Sequence, residues 1–186
     1  MTTVFLGGSR HVSQLAPVVR SRLDKIIDQR LAVIMGDAPG ADRSLQHYLH
    51  ARGYRNVTVF CSGNMCRNNV GDWQIRKVAA GPRSNGFAFF AAKDREMARE
   101  ADFGLMVWDG QSSGTIMNAL RLLSQGKKVA VYSVAEKRFT DLGSQDQYDG
   151  FIARHGEGIQ AAIEARLTPE DLVAADLRLP IPAEAS

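Results

Sequence analysis

The sequence predicts an α/β protein: a doubly wound, mostly parallel sheet in three layers, with a short helical C-terminal tail. Three observations predict it. The apolar runs LAVIM, VTVFC, FGLMVW and KVAVY are continuous rather than alternating, as strands covered on both faces are. Segments with helical spacing separate most of them. Three of the strand ends run into glycine-rich turns, and in such sheets ligands bind at the carboxyl ends of the strands.

Taken in order, TVFLGG is the first strand and ends in Gly7 and Gly8. A helix is expected from Ser13 as N-cap, with Leu15, Val18, Val19, Leu23, Ile26 and Ile27 on one face. LAVIM (31–35) ends at GDAPGAD, and the next helix turns Ala41, Leu45, Tyr48 and Leu49 inward before Gly53 stops it. VTVFC (57–61) is the third strand. Residues 62–83 carry weaker signals, with a strand-like piece around Trp73, Ile75 and Val78. FAFFAAKDREMAREA reads as a helix entered near Asn85, and FGLMVW (103–108) as a buried strand. The helix after WDGQSSGT carries Ile116, Ala119, Leu120 and Leu123 and closes at Gly126; KVAVY (128–132) is the last clear strand. Residues 1–132 form the main unit, and 133–186 an extension packed on it. In the extension SVAEKRFTDLGSQDQYDG reads as loop, 158–166 as a short helix and RLPIPAEAS as extended. Another helix is expected to start at Thr168, with Pro169 in its first turn and Asp171 three residues on.

At 186 residues the chain is long enough for a sizeable core without staples. Its 23 basic and 20 acidic residues give a net charge of +3, scattered rather than blocked, which argues against a nucleic-acid partner. No apolar run is long enough to span a membrane and the N-terminus lacks a signal-peptide pattern, so a cytoplasmic protein is expected. Cys61 and Cys66 fit no zinc spacing and are expected as two reduced thiols. His47 and His50 lie three apart on a helix with nothing to complete a site, so no metal and no cofactor is expected.

The chemistry concentrates in the three turns. GGSR offers Gly7, Gly8, Ser9 and Arg10; GDAPGAD offers Gly36, Asp37, Gly40, Ala41 and Asp42. WDGQSSGT offers Trp108, Asp109, Gly110, Ser112, Ser113, Gly114 and Thr115. Glycine lets backbone amides approach an anion, the helix starts add partial positive charge, and the hydroxyls and Arg10 add donors. Each turn alone has a bland explanation as a tight connection, and Asp42 also suits a helix first turn. None fits the P-loop or GxGxxG pattern. Together, on one edge, they point to a phosphate-bearing, nucleotide-sized ligand.

GGSR, GDAPGAD, KDREM and WDGQSSGT, in that order on those elements, resemble the SLOG superfamily over roughly residues 3–132. That group includes LOG-type "lysine decarboxylase-like" phosphoribohydrolases and the Rossmann-like domain of DprA. The likeness is greatest to small SLOG proteins with GxxxGAD and WDGxSxGT motifs. It implies a Rossmann-like, nucleotide-binding domain. LOG-type enzymes carry PGGxGTxxE, whose Glu works with an Arg to cleave an N-glycosidic bond. Gly114-Thr115 match the GT, but Asn118 stands where the Glu would be, and an amide cannot act as a general base. In KDREM, Arg95 matches the family's Arg, with Lys93 beside it. Asp109 and Glu96 remain as acids for catalysis; Glu96 is about 100° round the helix from Arg95.

The expected function is binding of a nucleotide or nucleotide-derived ligand. The alternative is a nucleotide N-glycosidase, of phosphoribohydrolase or deoxyribosyltransferase-like type, with a reassigned acid; DprA-like nucleic-acid binding ranks third. Family analogy implies a homo-oligomer, a dimer or larger. Phe87, Phe89 and Phe90 exceed what one helix face buries, so this helix is the expected interface.

Overall fold

The computed structural model describes residues 1–79, 86–168 and 170–171. The strands are β1 (Thr3–Gly8), β2 (Ala32–Gly36), β3 (Val57–Ser62), β4 (Gln74–Val78), β5 (Phe103–Trp108), β6 (Lys128–Ser133) and β7 (Arg138–Leu142). They form one sheet in the order β4-β3-β2-β1-β5-β6-β7, parallel except for β7, which runs antiparallel to β6. The helices are α1 (Pro17–Asp28), α2 (Ala41–Ala51), α3 (Gly86–Glu100), α4 (Ser113–Leu123), α5 (Gln145–Ala153) and α6 (Glu157–Glu164). This is the three-layer, Rossmann-like α/β architecture that the apolar runs predict.

The continuous apolar runs follow from burial on both sides. Val4, Leu6, Met35, Val59, Leu105 and Val107 pack with Val19, Leu23, Leu45 and Leu49 of α1 and α2. The alternate residues Phe5, Ile34, Phe60, Met106 and Trp108 pack on the other face with α3, α4, α5 and α6. Strand side chains point alternately to opposite faces, so every position in a central strand must be apolar. The strand order reverses direction at β1, where β2 leaves on one side and β5 on the other. The crevice at the carboxyl end of such a switch point is where this architecture leaves room for a ligand.

Three elements differ from expectation. α1 begins at Pro17 rather than at Ser13: a proline at the first helical position has its φ already set and lacks only an amide that would go unpaired. Val18, expected inward, is exposed, because at 100° per residue it cannot share the face of buried Val19. The stretch read as loop after residue 133 contains β7 and α5. β7 is an edge strand with only Leu142 fully buried, so its hydrophobic signal is weak. α5 has a legible start: Ser144 caps the amide of Gln147, and Gln147 Oε1 accepts from Gly143 N at 2.7 Å.

The extension completes the second face. Tyr148, Phe151, Ile152, Ile159 and Ile163 of α5 and α6 join the core around α4. The Thr168 start is present as a reciprocal cap, Thr168 N donating to Asp171 Oδ2 and Asp171 N to Thr168 Oγ1. Pro169, Asn85 and RLPIPAEAS lie outside the described residues. No helix among the described residues is long and apolar enough to cross a membrane.

Candidate functional site

The three glycine turns meet, and Ser9 is the residue that joins them. Its amide donates to Val107 O at 2.9 Å, and its carbonyl accepts from Ala41 N at 3.0 Å. Its hydroxyl lies 3.1 Å from Thr115 Oγ1 and accepts from Asp109 N at 3.1 Å. The second turn lies directly on the first at Gly40: φ is +79°, and a Cβ there would stand 2.1 Å from the Arg10 carbonyl oxygen, so only glycine closes this contact.

The third turn presents a helix start. Ser112 precedes α4 in extended backbone, but its hydroxyl donates to Asp109 Oδ2 at 2.8 Å instead of capping the helix. Asp109 Oδ1 accepts from the amides of Gln111 and Ser112 at 2.9 and 2.8 Å. Burial would raise the Asp109 carboxyl, yet these hydrogen bonds outweigh it and hold the group below its ordinary value. The first-turn amides of α4 thus carry no side-chain cap, and Ser112, Gly114 and Thr115 line a cavity of about 570 Å³.

Cationic and aromatic side chains form the rest of the wall. Arg67 donates through Nε and Nη2 to buried Asp37 at 3.1 and 2.6 Å, and its own amide donates to the same carboxylate. Burial raises Asp37, but its bonds to Arg67 bring it below its usual value. The Arg67 guanidinium lies 4.5 Å from the centre of the Phe90 ring, and Arg10 lies 5.2 Å from the same ring. Arg166 stands over Phe87 in the same way, and both line the cavity.

The floor is charged and buried. Lys93 Nζ donates to Asp94 Oδ1 at 2.7 Å, and Asp42 Oδ2 accepts from Ala38 N at 3.2 Å. A Cβ on Gly36 would lie 2.6 Å from Asp42 Oδ2 and 3.0 Å from Lys93 Nζ, so glycine makes room for this pair. Burial pushes the Asp42 carboxyl up to about 6; Lys93 pulls it down, and Asp94 and Asp37 add to the rise. Asn118 also reaches the cavity, its Oδ1 held by Arg121 Nη1 at 2.8 Å.

The residues expected from sequence therefore divide. Gly7, Gly8, Ser9 and Arg10 line the cavity, as do Asp42 and Lys93. Ser112, Gly114, Thr115 and Asn118 close it on the α4 side. Gly36, Asp37, Gly40 and Ala41 sit behind the wall and shape it, while Gly110 turns the third loop with φ of +90°. Ser113 is buried in the first turn of α4 and does not reach the cavity. Trp108, expected to touch the ligand, is instead fully buried, its ring against Phe151 and His155 and its Nε1 donating to Ser112 O, so it has no face for a base.

The three candidate catalytic groups are not at the cavity wall either. Arg95 donates to Thr168 Oγ1 at 3.2 Å and lies 3.9 Å from Asp171, facing the extension. Glu96 pairs with Arg76 and Arg99 on the outside of α3. The Asp109 carboxylate is occupied by its own turn. One helix cannot aim Lys93, Arg95 and Glu96 at one point, and its packing on the sheet selects Lys93 and Asp94. Sequence reading missed Asp94, Arg67, Phe90 as a wall residue, and Arg166. Arg67 had a signal: it follows the end of β3, on the same edge as the three turns.

The expectation of two reduced thiols is overturned, since Cys61 and Cys66 form a disulfide with a Cα–Cα distance of 5.1 Å. It closes the turn that leads into Arg67. The chain matches no protein-family model and no curated protein. GGSR, GDAPGAD and WDGQSSGT gather around one cavity, to which KDREM supplies Lys93 and Asp94.

Proposed function

We propose that this chain binds a nucleotide or nucleotide-derived ligand, with a phosphate at the start of α4 and the remainder along the wall of Phe87, Phe90 and the arginines. The observation that carries this reading is the convergence of the three glycine turns on one cavity whose helix start has no side-chain cap. The cavity volume suits a small ligand. Arg10, Arg67, Lys93 and Arg166 outnumber the lining carboxylates Asp42 and Asp94, which favours an anion.

Calorimetry against nucleoside mono-, di- and triphosphates, cyclic nucleotides and NAD tests the proposal. Gly114→Val is the matching variant: a Cβ there meets nothing closer than 3.7 Å, so the side chain fills ligand space with little disturbance of the fold. Wild type should bind at least one member of the panel, and Gly114→Val should lose at least tenfold in affinity at unchanged melting temperature. Absence of any binding, or equal binding by Gly114→Val, would count against the phosphate site.

A second reading has one observation in its favour. Asp42 lines the same cavity and is raised toward neutral pH by burial, which suits a general acid or base. Hydrolysis would add water at the sugar C1′ and release the base with the proton. A mass-spectrometric time course should then show free base, lost in Asp42→Asn; intact nucleotides throughout would leave binding alone.

A further inference from the structure

The Asp42 side chain is incompletely satisfied where it meets the cavity. It is 6% exposed and lines the cavity wall. Oδ2 accepts one amide bond, from Ala38, and no other hydrogen bond reaches the carboxylate from the described residues. Oδ1 has no donor among the described residues, so a ligand hydroxyl reaching it from the cavity would supply one.

Its position relative to the α4 start is fixed through Ser9. Thr115 Oγ1 touches the Ser9 hydroxyl, and Ala41, the neighbour of Asp42, donates to the Ser9 carbonyl. Asp42 and Thr115 line the same cavity with Ser9 and Ala41 linking them, so a nucleotide with its phosphate at the α4 start can turn its sugar towards Asp42. Lys93 beside Asp42, with Arg10 and Arg67 in the wall, disfavours a cationic ligand group. Neutral hydroxyls suit the site, and a vicinal pair offers two donors to one carboxylate.

We infer that Asp42 is the sugar-reading residue of this cavity, accepting hydrogen bonds from the vicinal hydroxyls of a ribose and so selecting ribonucleotides over their 2′-deoxy counterparts. The inference rests on the nucleotide reading above.

Calorimetry with the four ribonucleoside 5′-monophosphates and their four 2′-deoxy forms, on wild type and Asp42→Asn, tests it. Wild type should prefer the ribo form of its best base by roughly tenfold to a hundredfold, the range for a hydrogen bond to a charged acceptor. Asp42→Asn should weaken the ribo form more than the deoxy form, which offers the carboxylate only its 3′-hydroxyl, so that the ratio falls towards one. Equal wild-type binding of both forms overturns the sugar assignment and leaves the nucleotide reading standing. So does a variant that weakens both forms in proportion. Binding of none of the eight overturns the sugar assignment for monophosphates, and the wider ligand panel then decides the nucleotide reading separately. The wild-type ratio decides the matter even where the variant fails to fold.

Discussion

At Asp42 the fold buries a carboxyl at the cavity wall, with Lys93 favouring ionisation and Asp94 and Asp37 opposing it. An acid whose folded value lies above its unfolded one holds its proton more tightly when folded. Stability is therefore greatest with Asp42 protonated, and falls as pH rises from the ordinary 3.8 through about 6. A shift of this size corresponds to roughly 3 kcal/mol of destabilisation above that window. Asp42→Asn keeps an acceptor for the Ala38 amide and removes the charge. It should raise the melting temperature at pH 7.5 and flatten its dependence between pH 4 and 7. A variant that melts lower than wild type at pH 7.5 would show that the Lys93 interaction outweighs burial. Asp37 has the opposite sign: its bonds to Arg67 stabilise the fold above the ordinary carboxylate range, and that contribution disappears as pH falls through its lowered value.

Between elements, the contact that ties the extension to the main unit is buried and ionic. Arg121 of α4 donates to Asp171 through Nε at 2.7 Å and Nη2 at 3.0 Å, and both side chains are almost wholly enclosed. Burial raises the Asp171 carboxyl, but Arg121 and the Thr168 cap lower it further. Removing one partner leaves the other charge buried without compensation. Asp171→Ala should therefore cost about 3 kcal/mol, near the lower end of such losses because Arg121 keeps Asn118. A urea melt of the full chain reads the change; a loss below ~1 kcal/mol would mean that the pair is solvated in solution.

For the molecule as a whole, the aromatic side chains of α3 divide between the cavity and its outer surface. Phe87 and Phe90 line the cavity, which accounts for residues that sequence reading assigned to an interface. Phe89 packs edge-on against Phe90 and next to Gly63, and is half-buried in the single chain. If α3 also joins copies of this chain, Phe89→Glu should shift the sedimentation coefficient towards the monomer, and an unchanged value rules that interface out.

Sequence by itself determined the parallel strands of the sheet and the edge on which the glycine turns lie, though not the antiparallel edge strand β7. Continuous apolar runs and helical spacing are local patterns, and strand direction follows from their alternation. It also located the α4 start, since a glycine and hydroxyl turn between strand and helix is a local feature. The tertiary structure decided which charged side chains share the cavity. KDREM holds four consecutive charged residues, and only the rotation of α3 on the sheet turns Lys93 and Asp94 inward while Arg95 meets Asp171 and Glu96 meets Arg76 and Arg99. The placing of Arg67 on Asp37 and the burial that raises Asp42 likewise depend on contacts between segments distant in the chain. No pattern of neighbours in sequence encodes those contacts.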